Sequence, residues 1–250
     1  MKFAIIGVAM LTLLSFSACS SKSSNSSDST APKPSTPIDP ATTGSISGIV
    51  TFTGAAPSPV KIDMSQDPAC GNQPNVSESL VVDNGDLANV FVYVKDGLGD
   101  RAFAPPAETA EVHQNGCRYV PHLAGAMVGQ TIKFVNDDNT SHNIHPHPAA
   151  NRQWNESQPP QGAPIESRFD HPEVLIPVQC NQHPWMRMYL GIVSNPFFAV
   201  TGTDGKFDIR GLPPGTYTLA AAHERLGERD LKITIGPKES KNADFNFSAP

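Results

Sequence analysis

The stretch Val178-Gln179-Cys180-Asn181-Gln182-His183-Pro184-Trp185-Met186-Arg187-Met188-Tyr189-Leu190-Gly191 places one cysteine, one histidine and two methionines within nine residues. The apolar run from Glu173 to Gln179 reads as a strand that delivers Cys180 to its end, and Tyr189 to Val193 reads as the next strand. A thiol, an imidazole and thioethers therefore share one tight loop between two strands. Such a loop can wrap an ion.

Outward from this loop the periodicity is that of strands. In residues 46–52 the apolar Ile46, Val50 and Phe52 fall on one face, and Gly129-Gln130-Thr131-Ile132-Lys133-Phe134-Val135-Asn136 alternates in the same way. Asn89-Val90-Phe91-Val92-Tyr93-Val94-Lys95 is apolar on both faces, as a central sandwich strand would be. Residues 206–210, 216–222, 231–235 and 243–247 read as further strands. They are separated by Asp204-Gly205, Leu212-Pro213-Pro214-Gly215 and Gly236-Pro237, where glycine supplies positive φ and proline a fixed φ. No long helical pattern occurs, so the expected fold class is all-β.

The 250 residues include 24 prolines and 19 glycines, which suits one or two compact, turn-rich domains. A formal charge of −6, with no run of Lys and Arg interleaved with aromatics, offers no basic face to a phosphate backbone. No nucleic-acid partner is expected. At the N-terminus Lys2 precedes an apolar run from Phe3 to Phe16, too short for a permanent span, which reads as an export signal. Leu14-Ser15-Phe16-Ser17-Ala18-Cys19 resembles a bacterial lipobox, with Phe16 where leucine is more frequent. The resemblance implies a lipoprotein signal peptide over residues 1–19, lipidation at Cys19 and attachment to a membrane through the acyl chains. Ser20 then fits an outer-membrane lipoprotein facing the periplasm or the cell surface; an ordinary signal peptide cut nearby is the alternative. Residues 20–44 are mostly Ser, Thr and Pro, too polar to offset the entropy of ordering, and are expected to act as a tether.

With Cys19 at the lipid site and Cys180 in the ion-binding loop, Cys70 and Cys117 remain as the other pair. Export permits a disulfide between them, stapling the loop around Cys70 to the strand starting at Gly116. Two buried free thiols are the alternative.

A Cys thiolate, two His nitrogens and a weak thioether form the trigonal set of blue-copper electron-transfer sites. The second histidine is best supplied by Asp137-Asp138-Asn139-Thr140-Ser141-His142-Asn143-Ile144-His145, which follows the strand ending at Asn136 and lies 38 positions before Cys180. His142-Asn143-Ile144-His145 together with Cys180-Asn181-Gln182-His183-Pro184-Trp185-Met186-Arg187 resembles the cupredoxins, amicyanin-like members above all. The resemblance implies copper ligands at His142, Cys180, His183 and Met186, with Asn143 tying the two ligand loops together. It also implies a cupredoxin-like Greek-key β-sandwich. Met188 stands at the spacing that plastocyanin-like members use for the axial ligand and is the alternative to Met186.

Thiolate and thioether suit Cu(I), imidazole suits Cu(II), and a rigid scaffold between their preferences favours reversible one-electron transfer. The expected protein is therefore a carrier and not an enzyme, since neither an open coordination position nor a general base is recognisable. Its expected partner is a redox protein such as a cytochrome or a dehydrogenase. Pro184 and Trp185 beside His183 suggest an apolar patch through which the ligand edge surfaces, unless Trp185 is core. His145 and His147 could form a two-histidine metal grip, although exposed loop side chains are the simpler reading, and His122 could lie near the site without a role of its own.

Residues from about 198 onwards resemble the carboxypeptidase-regulatory-like, transthyretin-type sandwich, which carries no peptidase residues. The implied organisation is a copper domain over residues 45–198 and a smaller sandwich over residues 199–250, with residues 45–53 as a candidate first strand of the latter and the copper domain then inserted within it. A copper-binding or structural envelope lipoprotein without redox traffic is the competing function.

Overall fold

The computed structural model describes residues 35–71 and 75–249, together with Met1 and Ala4. The expected signal peptide, Cys19 and the tether up to residue 34 lie outside the described residues. Residues 35–43 are not free tether: the Thr36 N–H donates to the Ala102 carbonyl at 2.7 Å, and Ile38 packs on a hydrophobic core. The ordered chain thus begins before residue 45.

No helix occurs among the described residues, and the fold is all-β. In chain order the first strands are β1 (Gly44–Thr53), β2 (Val82–Asp83), β3 (Asp86–Leu87), β4 (Phe91–Asp96), β5 (Ala110–Gln114), β6 (Tyr119–Val120), β7 (Leu123–Met127), β8 (Ile132–Asn136), β9 (His142–Pro146) and β10 (Glu156–Gln158). They are followed by β11 (Ile165–Ser167), β12 (Glu173–Gln179), β13 (Arg187–Val193), β14 (Phe198–Val200), β15 (Lys206–Leu212), β16 (Gly215–His223), β17 (Gly227–Ile235), β18 (Ser240–Asn242) and β19 (Phe245–Ser248).

Two pairs of sheets enclose two cores. The sheets ordered β10-β9-β12-β13-β7 and β11-β8-β5-β6 share a core that includes Val112, Phe134, Ile144, Ile176, Leu190 and Cys180. The second pair has β1 at its centre, flanked by β15 and β18 along its first half and by β3 and β19 along its second, and faces the sheet β14-β4-β16-β17. Ile46, Val50 and Phe52 point from β1 into this second core, as their period of two requires.

Strand pairing does not follow a division between residues 198 and 199. β1 and β4, both from the first hundred residues, are hydrogen-bonded to strands from the last fifty or so, and the segment carrying β5 to β13 lies between them in sequence. A C-terminal segment alone would have too little apolar area to close a core. β4 explains its own two-faced apolarity: Val92 and Val94 enter the second core, while Phe91 and Tyr93 turn outward onto a small cluster with Leu123 and Val193. Phe91 fits there because Gly125 and Gly191, paired directly on β7 and β13, leave room for it. A Cβ on Gly191 would lie 2.6 Å from the Phe91 ring.

Candidate metal centre

Antiparallel pairing of β12 with β9 matches Val178 to Pro146 and Gln179 to His145. The end of β12 is thereby set against the end of β9, and the chain leaving β12 at Cys180 runs on towards the start of β9, so Cys180 and His142 meet although they lie 38 positions apart. The loop after Cys180 is closed by its own backbone: the Cys180 N–H donates to the Met186 carbonyl at 3.1 Å, and the Met186 N–H to the His183 carbonyl at 2.8 Å. This tight turn folds His183 back over the cysteine.

The result is a buried cluster. His142 is fully buried, Cys180 is 2% exposed and His183 4%. One nitrogen of each ring and the Cys180 Sγ lie within 4.8 Å of one another. The two Nδ1 atoms are 2.8 Å apart, and His183 Nδ1 is 3.7 Å from the sulfur. Asn143 joins the two loops as expected from the resemblance. Its N–H points at Cys180 Sγ at 3.5 Å, and its Oδ1 accepts from the Asn181 N–H at 2.7 Å. Met186 and Met188 are both buried, Met186 inside the closed loop and Met188 in the β12–β13 ladder opposite Val178.

Two carboxylates, neither assigned a role by the sequence reading, hold the histidines from behind. Asp138 Oδ2 lies 2.9 Å from His142 Nε2 and also accepts the Cys117 N–H, while Oδ1 accepts the Gly116 N–H. Asp67 Oδ2 lies 2.9 Å from His183 Nε2 and accepts the Thr140 hydroxyl. Burial works against the Asp138 charge, but the hydrogen bond with His142 and the two backbone donors outweigh it and hold the carboxyl below its ordinary range. Asp67 is lowered chiefly by its hydrogen bond with His183. Burial opposes protonation of His142, yet Asp138 and Cys180 together raise it. Burial likewise opposes the Cys180 thiolate, but hydrogen bonding from His142 and the neighbouring backbone brings the thiol down to about 7.

These contacts test whether a metal fits. When both Nε2–H groups donate to carboxylates, both Nδ1 lone pairs face one another at 2.8 Å, which is repulsive unless a cation sits between them. A shared proton satisfies that demand, and so does a metal ion held additionally by a near-neutral thiol. Carboxylates on the far nitrogens are the usual support of metal-binding histidines, fixing tautomer and ring orientation. The donor set, one sulfur and two imidazoles in a water-poor pocket, suits copper, and zinc also accepts such ligands.

The Cys70–Cys117 disulfide forms, with Cα atoms 5.6 Å apart. It ties the loop bearing Asp67 to the turn whose N–H groups hold Asp138. One covalent bond thus braces both histidine supports.

The expected exposed ligand edge is not found. His183 is covered by Asp67 on the stapled loop, and Trp185 is half-buried, donating its Nε1–H to the Cys117 carbonyl at 3.2 Å. Pro184 alone of the three is exposed. His122 lies beside a cavity of about 260 Å³ that Trp185 and Met186 also line, with its Nε2 2.6 Å from Glu224 Oε1. Asp138, four residues before His142 in an Asp-Asp pair, was open to discovery in the sequence as a histidine partner; Asp67, 116 positions from His183, left no local signal.

No family model matches the chain. No curated protein matches it either. Among solved structures, it is similar to a copper-containing nitrite reductase from Thermus scotoductus SA-01, at 19% identity and a TM-score of 0.33, over 39% of this chain. It spans only 25% of that enzyme's length. It is also similar to a purple cupredoxin from Nitrosopumilus maritimus, at 22% identity and a TM-score of 0.29, over 33% of this chain and 98% of the other. An amicyanin variant in its reduced Cu(I) form at pH 4 is similar at 15% identity and a TM-score of 0.31, over 40% of this chain and 97% of the other.

Proposed function

We propose that this chain binds one copper ion through His142, Cys180 and His183, with Met186 as a weak axial thioether, and passes single electrons between redox partners. The observation that carries the reading is the meeting of two imidazole nitrogens 2.8 Å apart beside a buried thiol whose ionisation falls to about 7. Copper in such a set supplies a Cu(I)/Cu(II) couple. Asp138 and Asp67 keep the coordinating nitrogens aimed inward, and Asn143 clamps the ligand loops, so the donors are placed before an ion arrives. Burial of all three donors excludes water from the site. Met186 is favoured over Met188 because its backbone closes the ligand loop, whereas Met188 is fixed in a strand ladder.

The wider reading is a lipoprotein anchored through Cys19 in the bacterial envelope. Its cupredoxin-like module, residues 110–193, is carried by a transthyretin-type sandwich built from β1 to β4 and the C-terminal strands. A redox protein such as a cytochrome would approach near Pro184 and Trp185, whose ring lies 5.2 Å from that of His183.

The covered edge of His183 favours a second reading, a copper-holding envelope protein without redox traffic. Voltammetry of the copper-loaded full chain separates the two. The carrier reading expects a reversible one-electron wave that is lost in Cys180→Ser; bound copper with no reversible wave supports holding alone.

A further inference from the structure

Behind the ligand strand lies a second cluster of imidazoles that the copper reading does not use. His145 and His147 are two residues apart on extended chain and so share a face. Their ring centroids are 4.0 Å apart. His145 Nε2 and His147 Nδ1 converge on a single group, the side-chain amide of Gln153, at 2.8 and 3.2 Å. The other nitrogen of His145, Nδ1, faces Asn181 Oδ1 at 3.1 Å. That contact places the proton on Nδ1 and leaves Nε2 as the acceptor, the same kind of outer support that metal-binding histidines use. His147 Nε2 is buried and finds no partner, so the Gln153 amide is the one hydrogen-bonding group its ring engages.

We infer that His145, His147 and Gln153 form a second metal site, taking a borderline divalent ion such as Ni²⁺, Cu²⁺ or Zn²⁺. One nitrogen of each ring is already aimed at the same point, and burial together with the neighbouring His145 lowers the pKa of His147 and favours its neutral form. Gln153 is exposed, so its amide is free to turn by half a revolution and present Oε1 where its nitrogen now sits. The site then offers two nitrogens and one oxygen, a set that suits imidazole-loving divalent ions and lacks the soft sulfur that would select Cu(I). Being half-exposed, it is open to ions from solution while the Cys180 site is enclosed. Asn181, next to Cys180, links the two.

Ni²⁺ is the probe of choice, because its affinity for a common ligand set lies below that of Cu²⁺ and it does not expel copper from the thiolate site. Isothermal titration of the full chain, loaded beforehand with one equivalent of copper, is expected to show one Ni²⁺ binding event that persists in Cys180→Ser and disappears in His145→Gln/His147→Gln, with far-UV circular dichroism confirming that the variants stay folded. Gln153→Leu keeps both imidazoles and is expected to weaken binding at least tenfold. Absence of Ni²⁺ binding, or binding that survives the double histidine substitution, overturns the assignment. Because the Cys180→Ser arm leaves this grip intact, failure of the copper-carrier reading and failure of this one give different patterns.

Discussion

Removing the Cys70–Cys117 bond tests how the site is braced. The bond closes a loop with a sequence separation of 47. In the chain-entropy account, releasing a loop of that length costs about 14 cal/mol/K, or about 4 kcal/mol at 25 °C. Both sulfurs are buried, so Cys70→Ala/Cys117→Ala adds lost packing to that figure. With a urea m-value of about 2–3 kcal/mol/M, the unfolding midpoint should fall by roughly 1.3–2 M. Tryptophan fluorescence is the proper assay, because the chain's two tryptophans, Trp154 and Trp185, both pack on the core beside the metal site and report that sandwich. Copper affinity should fall in parallel as Asp67 is released from His183. A stability change below about 1 kcal/mol, with unchanged copper affinity, would refute the claim that this bond holds the histidine supports.

Asp138→Asn removes the charge behind His142 and should weaken copper binding about 10–100-fold in a chelator competition; an unchanged affinity would mean the ring is oriented by packing alone. Gly191→Ala drives a methyl into the Phe91 ring and should cost about 1–3 kcal/mol in urea unfolding, whereas a neutral result would show that the contact between the two sandwiches is slack. Burial holds His223 down to about 4. Its native value lies below the unfolded one near 6.5, so its share of stability is complete above about pH 6.5 and is lost as pH falls towards 4, roughly 3 kcal/mol in all. His223→Gln should flatten that part of the stability profile, and an equally steep profile in the variant would contradict the assignment.

The strands legible in sequence were those whose surroundings match their own pattern. β1 alternates because one face meets a core, and β4 is apolar on both faces over its first four residues because both faces are covered there. β5 and β7 were not legible. β5 carries Val112 and, two positions on, a buried Gln114 whose Nε2–H donates to the distant Gln158 Oε1. β7 reads Leu-Ala-Gly-Ala-Met, its glycine required by Phe91 and Phe198 from outside its own sandwich, while Ala124 and Ala126 face the core within. The pairing of residues 44–53 with the C-terminal strands was legible only through the resemblance that made residues 45–53 a candidate first strand of the second sandwich; no pattern within the strand itself names β15 and β19 as its neighbours. At the site, Cys180 and His183 were legible because one short loop supplies them, and His142 because it opens a strand in a recognisable motif. The supports were less so. Asp67 is brought in by a disulfide loop, and the face it covers, His183 with Trp185, looked from sequence like an open edge.

The central claim is that His142, Cys180 and His183 together hold one copper ion, and the visible spectrum of the copper-loaded chain tests it most directly. One equivalent of copper should give an intense thiolate-to-copper absorption that bleaches on reduction and is lost in Cys180→Ser, with His142→Ala altering the band. A colourless protein after loading, or a band indifferent to Cys180, would contradict it.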